Sequence, residues 1–208
     1  MTDDCSQKTG SSARVWIESL LIGASIAAVS LSLVLIYQPV KIEGNSMTPL
    51  LSDHEAIVIN RLVYHFEPIH RGDVVVYRYP LDATQSFIKR VVGLPGETVQ
   101  IRQGLVYVNR NRVPEPYVPS EYEDLSDFGP IQVPSGRYFV LGDRRSSSND
   151  SRVFGTVARR LIEGRAAFAY WPIDHFGLLS RRSGPQKQRP NETHDTQHER
   201  IITNAPDF

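Results

Sequence analysis

Cysteine is nearly absent: Cys5 is the only one in 208 residues, so no intrachain disulfide can form and the fold must rest on its hydrophobic core. There is no Cys/His cluster and no HExxH spacing, which argues against a zinc site, and no metal or other cofactor is expected. An excess of either charge is missing too. Lys and Arg number 23 against 23 Asp and Glu, so nothing global points to nucleic acid as a partner. Beyond Tyr37 no segment sustains a 3.6-residue apolar period, which argues against long helices there. The length leaves room for one globular domain with accessories.

One long apolar run stands near the start. Ser19 to Tyr37 (SLLIGASIAAVSLSLVLIY) carries no charge, and a helix of that length, at about 1.5 Å per residue, reaches roughly 30 Å, the thickness of a bilayer's hydrocarbon core. A removable signal peptide has a shorter apolar core followed by a small-residue site, whereas Tyr37-Gln38-Pro39-Val40-Lys41 follows here. A retained transmembrane anchor over residues 16–37 is therefore expected, in preference to a signal peptide or a buried core helix. Trp16 and Tyr37 stand at its ends, where aromatic rings favour the interface. Lys8 and Arg14 before the span, against Lys41 and then Arg61 after it, bias the N-terminus to the inside, with Glu18 near the inner interface. Residues 1–15 are then cytoplasmic, the rest lies across the cell membrane, and Ser46 falls close to the outer surface.

Past the anchor, Val, Ile, Tyr and Phe alternate with polar residues over short runs bounded by Gly and Pro. Strands are expected at 56–63, 73–79, 86–93, 98–102, 105–109, 137–141 and 165–171, with a hairpin around Gln103-Gly104. The fold class is mainly β, an antiparallel sandwich or barrel-like domain over 38–180 behind one N-terminal transmembrane helix. Residues 114–135, acidic and proline-rich, read as a surface excursion. Residues 181–208 are polar and aperiodic and read as a disordered tail, in which the Asn191-Glu192-Thr193 sequon carries no weight.

Three stretches carry candidate chemistry. In Gly44-Asn45-Ser46-Met47-Thr48-Pro49, Gly44 reaches backbone conformations closed to other residues and Pro49 fixes one. Ser46 then sits where a tight turn pushes its hydroxyl outward, a setting for a nucleophile as well as for a plain turn. Lys89, in Ser86-Phe87-Ile88-Lys89-Arg90-Val91-Val92-Gly93, has apolar neighbours apart from Arg90. Such surroundings strip an ammonium of hydration, and a neutral lysine is a base; a lysine guarding an exposed sheet edge reads the same in sequence. Gly142–Arg152 (GDRRSSSNDSR) mixes two acids with three arginines between strand-like stretches, so its charges can lock it by mutual pairing while a hydroxyl orients a base. Asp53-His54 makes a poor pair for a Ser-His-Asp triad, because adjacent strand residues point to opposite faces.

Taken together, Gly44–Pro49, Arg71-Gly72-Asp73-Val74-Val75, Phe87 through Gly96 and Gly142 through Arg152 resemble, in order and spacing, the successive motif boxes of type I signal peptidases. With the anchor, the resemblance covers about residues 15–175. It implies a membrane-bound serine endopeptidase with a Ser/Lys dyad. By matched position Ser46 resembles the nucleophile, with its backbone N–H an oxyanion donor. Lys89 resembles the general base and Ser148 the hydroxyl that orients it, while Asp143, Arg145, Asp150 and Arg152 resemble the loop's structural ion pairs. Met47, Leu51 and Ile88 are assigned to the walls of a small apolar pocket accepting alanine. Two departures stand out. The family loop commonly reads Gly-Asp-Asn-Arg-Asp-Asn-Ser, and here Arg144, Ser146 and Ser147 replace Asn, Asp and Asn. Gly44 stands where some members carry a serine that helps to hold the oxyanion.

The implied partners are secretory preproteins with Ala-x-Ala-type signal peptides and the lipid bilayer, with no nucleic acid and a monomeric enzyme. Two other readings fit the same residues. One is a degenerate, membrane-tethered β-domain that binds exported chains without cutting them; the other is a peptidase of specialised substrates.

Overall fold

In the computed structural model of the chain, residues 8–179 and 201–202 are described. The chain divides into two units, Met1–Tyr37 and Gln38–Phe208. The first is one helix, α1 (Lys8–Ile36), in which Arg14–Leu33 is long and apolar enough to cross a membrane, with a mean hydropathy of 1.7 and none of it buried within the protein. Three of its serines satisfy their hydroxyls on the helix itself. Ser19, Ser25 and Ser32 each donate their hydroxyl to the carbonyl four residues back, at 2.8 Å.

The second unit is built of strands: β1 (Tyr37–Ile42), β2 (Ala56–Asn60), β3 (Val74–Tyr79), β4 (Asp82–Gly93), β5 (Thr98–Arg102), β6 (Leu105–Val108), β7 (Asn111–Arg112), β8 (Phe128–Gln132), β9 (Arg137–Leu141), β10 (Val157–Ala158), β11 (Ile162–Trp171), β12 (Gly177–Leu178) and β13 (Ile201–Ile202). Two four-residue helices, α2 (Val63–Phe66) and α3 (Ser151–Phe154), interrupt them. A nine-stranded sheet runs β10-β9-β4-β3-β11-β2-β1-β13, with β12 on β11, and a four-stranded sheet runs β7-β6-β5-β8. The ladders that hold the centre, β3 with β4, β4 with β9 and β11 with both β2 and β3, are antiparallel. This is the mainly β, antiparallel class that the alternating pattern predicts.

β4 is the strand on which the rest depends. From Ser86 to Gly93 every residue is buried, because β4 is flanked by β3 and β9 in the sheet and packed on both faces. Phe87 and Val91 join Val75, Tyr77 and Val140 in one core cluster, Ile88 joins Met47, Leu51 and Ile57 in a second, and Val92 joins the small sheet's Val99 and Ile101 in a third. Burying each such aliphatic side chain contributes roughly 1.5–3 kcal/mol.

Some boundaries differ from the sequence reading. Val63 belongs to α2 rather than to a strand, because the Asn60 side chain accepts hydrogen bonds from the Leu62 and Val63 backbone N–H groups and turns the chain out of β2. β1 follows α1 directly, taking Tyr37 as its first residue. The 114–135 stretch ends in β8, which pairs with β5 through Thr98↔Gln132 and Val99↔Ile131, and its Val133 is buried. Of the tail, residues 180–200 and 203–208 lie outside the described residues, as do Cys5 and the sequon. Ile201 and Ile202 pair antiparallel with Ile42 and Lys41.

Candidate active site

Two loops converge on β4 at Lys89. β9 pairs with β4 at Leu141↔Arg90, so Lys89 lies beside the point where the 142–152 loop leaves β9. The 43–53 loop is closed at its base by Ile42 N–H donating to Glu55 O and His54 N–H to Ile42 O. Within it Gly44 takes φ 101°, a region that favours glycine, and donates its N–H to Asp53 Oδ1 at 2.8 Å. Asp53 N–H in turn donates to Asn45 Oδ1, and Thr48 N–H to Asn45 O. The turn so fixed buries Ser46 and brings its Oγ to 2.5 Å from Lys89 Nζ, a hydrogen bond. Lys89 is 0% exposed, and the Phe87 ring stands 5.6 Å from its Nζ.

The 142–152 loop is tied to the 43–53 loop. Arg144 N–H donates to Ser46 O at 2.9 Å, and Gly142 fits where no side chain could: a Cβ there would lie 2.3 Å from Ser148 Oγ and 2.7 Å from Ser46 O. Asp150 caps α3 by accepting from Arg152 N–H, and its carboxylate also accepts from Gly142 N–H and from the Arg152 guanidinium. Ser151 Oγ accepts from Val140 N–H. Ser148 Oγ is buried and has no hydrogen-bond partner among the described residues, so the structure does not join it to Lys89.

The loop's charges pair outward more than with one another. Asp150 and Arg152 do pair within it, at 2.9 Å. Asp143 instead receives both Nε and Nη2 of Arg90, at 2.8 and 2.6 Å, and Arg90 Nη1 donates to Gly72 O. Burial acts to lower the Arg90 pKa, but the hydrogen bonds and charge of Asp143 outweigh it and hold the guanidinium charged. Arg145 pairs with Glu115, far back in the 114–135 stretch, and Arg152 also reaches Asp124 at 2.8 Å. Tyr117 lies under Arg90, with its ring centroid 4.0 Å from the guanidinium carbon, and Tyr122 lies 5.3 Å from that of Arg144. The substitution Arg144 thus has a partner of its own. Arg71-Gly72-Asp73 serves as a buttress: Arg71 bonds Val92 O and Glu97, and Gly72 N–H donates to Val91 O.

Of the residues singled out by sequence, Ser46, Lys89, Ser148, Asp143, Arg145, Asp150 and Arg152 all belong to this assembly. Met47, Leu51 and Ile88 lie in the closed core below Ser46, each no more than 1% exposed, where they pack against one another rather than line an open cleft. Asp53 holds the turn of Ser46 by accepting from Gly44 N–H but forms no triad with His54, whose exposed imidazole pairs only with the Asp53 carboxylate among the described contacts. Sequence reasoning missed Arg90, Glu115, Tyr117, Tyr122 and Asp124. The available signal was the surplus of arginines in one loop facing a surplus of acids and tyrosines in another. No group of three or more metal-ligating side chains occurs among the described residues.

A family model described as signal peptidase, peptidase S26, matches residues 13–171. Signal peptidase I of Bacillus amyloliquefaciens is 37% identical over 162 residues, covering 72% of this chain and 83% of that one. Signal peptidase I of Leptolyngbya laminosa is 39% identical over 148 residues, 66% of this chain and 70% of that one. Signal peptidase I T of Bacillus subtilis is 37% identical over 163 residues, 73% and 84%. Among solved structures, a signal peptidase I from Enterococcus faecalis is 34% identical and covers 49% of this chain and 98% of its own, with a TM-score of 0.44. The family match spans most of the helix, the turn that carries Ser46, β4 and the 142–152 loop together, and the chain belongs to the signal peptidase I family of serine endopeptidases.

Proposed function

We propose that this chain is anchored in the cell membrane by α1 and removes N-terminal signal peptides from exported preproteins, cutting after small residues of the Ala-x-Ala type with a Ser46/Lys89 dyad. One observation carries the reading: a buried lysine amine stands 2.5 Å from a buried serine hydroxyl in a chain of this family. In the reaction the neutral Lys89 amine takes the proton from Ser46 Oγ as the oxygen attacks the carbonyl of the residue ending the signal. The backbone N–H of Ser46 is one donor to the developing oxyanion. The ammonium then returns its proton to the leaving amine, and the acyl-enzyme is hydrolysed by a water that the same amine deprotonates. Ser148, with its buried hydroxyl unpartnered, orients the amine during these transfers.

Ion pairing supports this assignment. Asp143, Asp150 and Glu115 are each bound by an arginine, so the carboxylates that crowd the loop are held by guanidinium groups. The anchor's part is positional. With the N-terminus inside and residues from Gln38 onward outside the cell, tethering confines the peptidase to the membrane that exported chains cross, so encounter is effectively intramolecular. Small residues are selected because a shallow cleft beside Ser46 excludes larger ones. The test is cleavage of a preprotein by Ser46→Ala and Lys89→Ala enzymes purified in detergent. Both should remain folded and inserted with no detectable product, and normal processing by either would refute the dyad.

A further inference from the structure

The acidic, proline-rich stretch that runs from β7 to β8 lies against the 142–152 loop through three pairings and against Arg90 of β4 through a fourth. Glu115 meets Arg145, Tyr117 meets Arg90, Tyr122 meets Arg144, and Asp124 meets Arg152. The first is the strongest. Its two parallel hydrogen bonds, Nη1 to Oε2 at 2.9 Å and Nη2 to Oε1 at 2.5 Å, form a fork between side chains only 4% and 9% exposed. Tyr117 donates its hydroxyl to Glu115 Oε1 at 2.7 Å, so the carboxylate is itself held. Burial acts to lower the Arg145 pKa, and the bonds and charge of Glu115 reverse the effect.

Arg145 passes this constraint on. Its remaining donor, Nε, gives a hydrogen bond to Gly142 O at 2.9 Å, and its own carbonyl accepts from Arg152 Nη2. Gly142 is the residue at which a Cβ would collide with both Ser148 and the Ser46 carbonyl. A path of three contacts thus joins Glu115 to the Ser148 hydroxyl and to the backbone carbonyl of Ser46. We propose that Glu115 is a positioning residue for the peptidase reaction: acting through Arg145, it fixes Gly142 and thereby the placement of Ser148 and Ser46 relative to Lys89. This rests on the Ser46/Lys89 reading above. It assigns to a stretch outside the family's four motif boxes a role in rate, distinct from substrate binding.

The test compares Glu115→Gln with the parent as full-length protein in detergent, cleaving a preprotein with an Ala-x-Ala signal. Glutamine keeps the shape but leaves the buried guanidinium without its anion. Because displacement of a reacting group by about 1 Å can cost on the order of 100-fold in rate, kcat should fall roughly 10- to 100-fold with KM within about twofold. The rate at which a serine-directed acylating inhibitor labels Ser46 should fall by the same factor, while the fraction of molecules finally labelled stays that of the parent. A merely structural role would instead lower the labelled fraction and leave the rate per active molecule unchanged. A kcat per labelled molecule within about twofold of the parent would overturn the proposal. Should Glu115→Gln fail to fold, Glu115→Asp, which keeps the charge and shortens the reach, is judged by the same criterion. Ser46→Ala and Lys89→Ala run alongside. If they cleave, the dyad itself is wrong; if they are dead and Glu115→Gln is fully active, only the positioning role is.

Discussion

Replacing Gly142 with alanine adds one methyl group at the most crowded point of the site, and the structure allows its cost to be worked out. The new Cβ would fall 2.3 Å from Ser148 Oγ, 2.7 Å from Ser148 Cβ and 2.7 Å from Ser46 O. Comfortable carbon contacts lie at about 3.5–4.0 Å, so something must give by roughly 1 Å. Rotating the Ser148 hydroxyl relieves only the first clash. The second and third involve Ser148's Cβ and a carbonyl pinned by Arg144 N–H, so the 142–152 loop must move away from the nucleophile turn. Overpacking of this kind costs about 1–3 kcal/mol, which in a chain of this size lowers Tm by roughly 2–10 °C. The kinetic cost is on the order of 100-fold in kcat, because the shift separates Ser148 and Ser46 from Lys89. Turnover of a preprotein substrate, with Tm followed by circular dichroism, reads both. A Gly142→Ala enzyme with kcat within about threefold of the parent would refute the claim that close approach of these two loops sets the reaction geometry.

Asp143→Asn strands the buried Arg90 guanidinium and should cost about 3–5 kcal/mol, seen as a lower urea midpoint with an unchanged m-value. Burial acts to raise the Asp124 pKa, but its bonds with Ser126 and with Arg152 outweigh this and hold it below the ordinary carboxylate range. A carboxylate depressed in this way adds stability above the unfolded value near 4 and loses it as pH falls through the folded one. Hydrogen-exchange protection of residues 114–127 should therefore drop below about pH 4 in the parent, and Asp124→Asn should remove that acid-dependent component. Ile88→Ala empties a fully buried site on β4 and should lower stability by about 2–5 kcal/mol in the same urea assay. His54→Ala should leave kcat and KM within about twofold of the parent; a loss of 100-fold or more would revive a histidine base.

Much of the β architecture was legible because β-branched and aromatic alternation is a local property. The strands at 98–102 and 137–141 come out at the expected bounds, and β4 differs only in reaching back to Asp82. β1 was not legible. It follows an apolar run without a break and contains Pro39, which alone reads as a strand breaker, and its place in the sheet comes from β2. β8 hides behind Gly129-Pro130 in an acidic context and forms because β5 offers a partner edge. At the site, the residue types of the four boxes pointed to Ser46 and Lys89, but the partners of the loop charges could not be read. Arg145 is 30 residues from Glu115 in the chain, and Arg90 is 53 from Asp143. Such pairings depend on how β4, β9 and the 114–135 stretch are brought together. Mutual pairing within the loop was the economical expectation, and only Asp150 with Arg152 meets it.

The most direct measurement of the central claim is the pH dependence of Ser46 acylation in single-turnover cleavage of a preprotein. If the neutral Lys89 amine takes the Ser46 proton, the rate should fall tenfold per pH unit on the acid side, with Lys89→Arg inactive at every pH. A rate that stays flat toward acid while the protein remains folded, or a Lys89→Arg enzyme that cleaves normally, would contradict it.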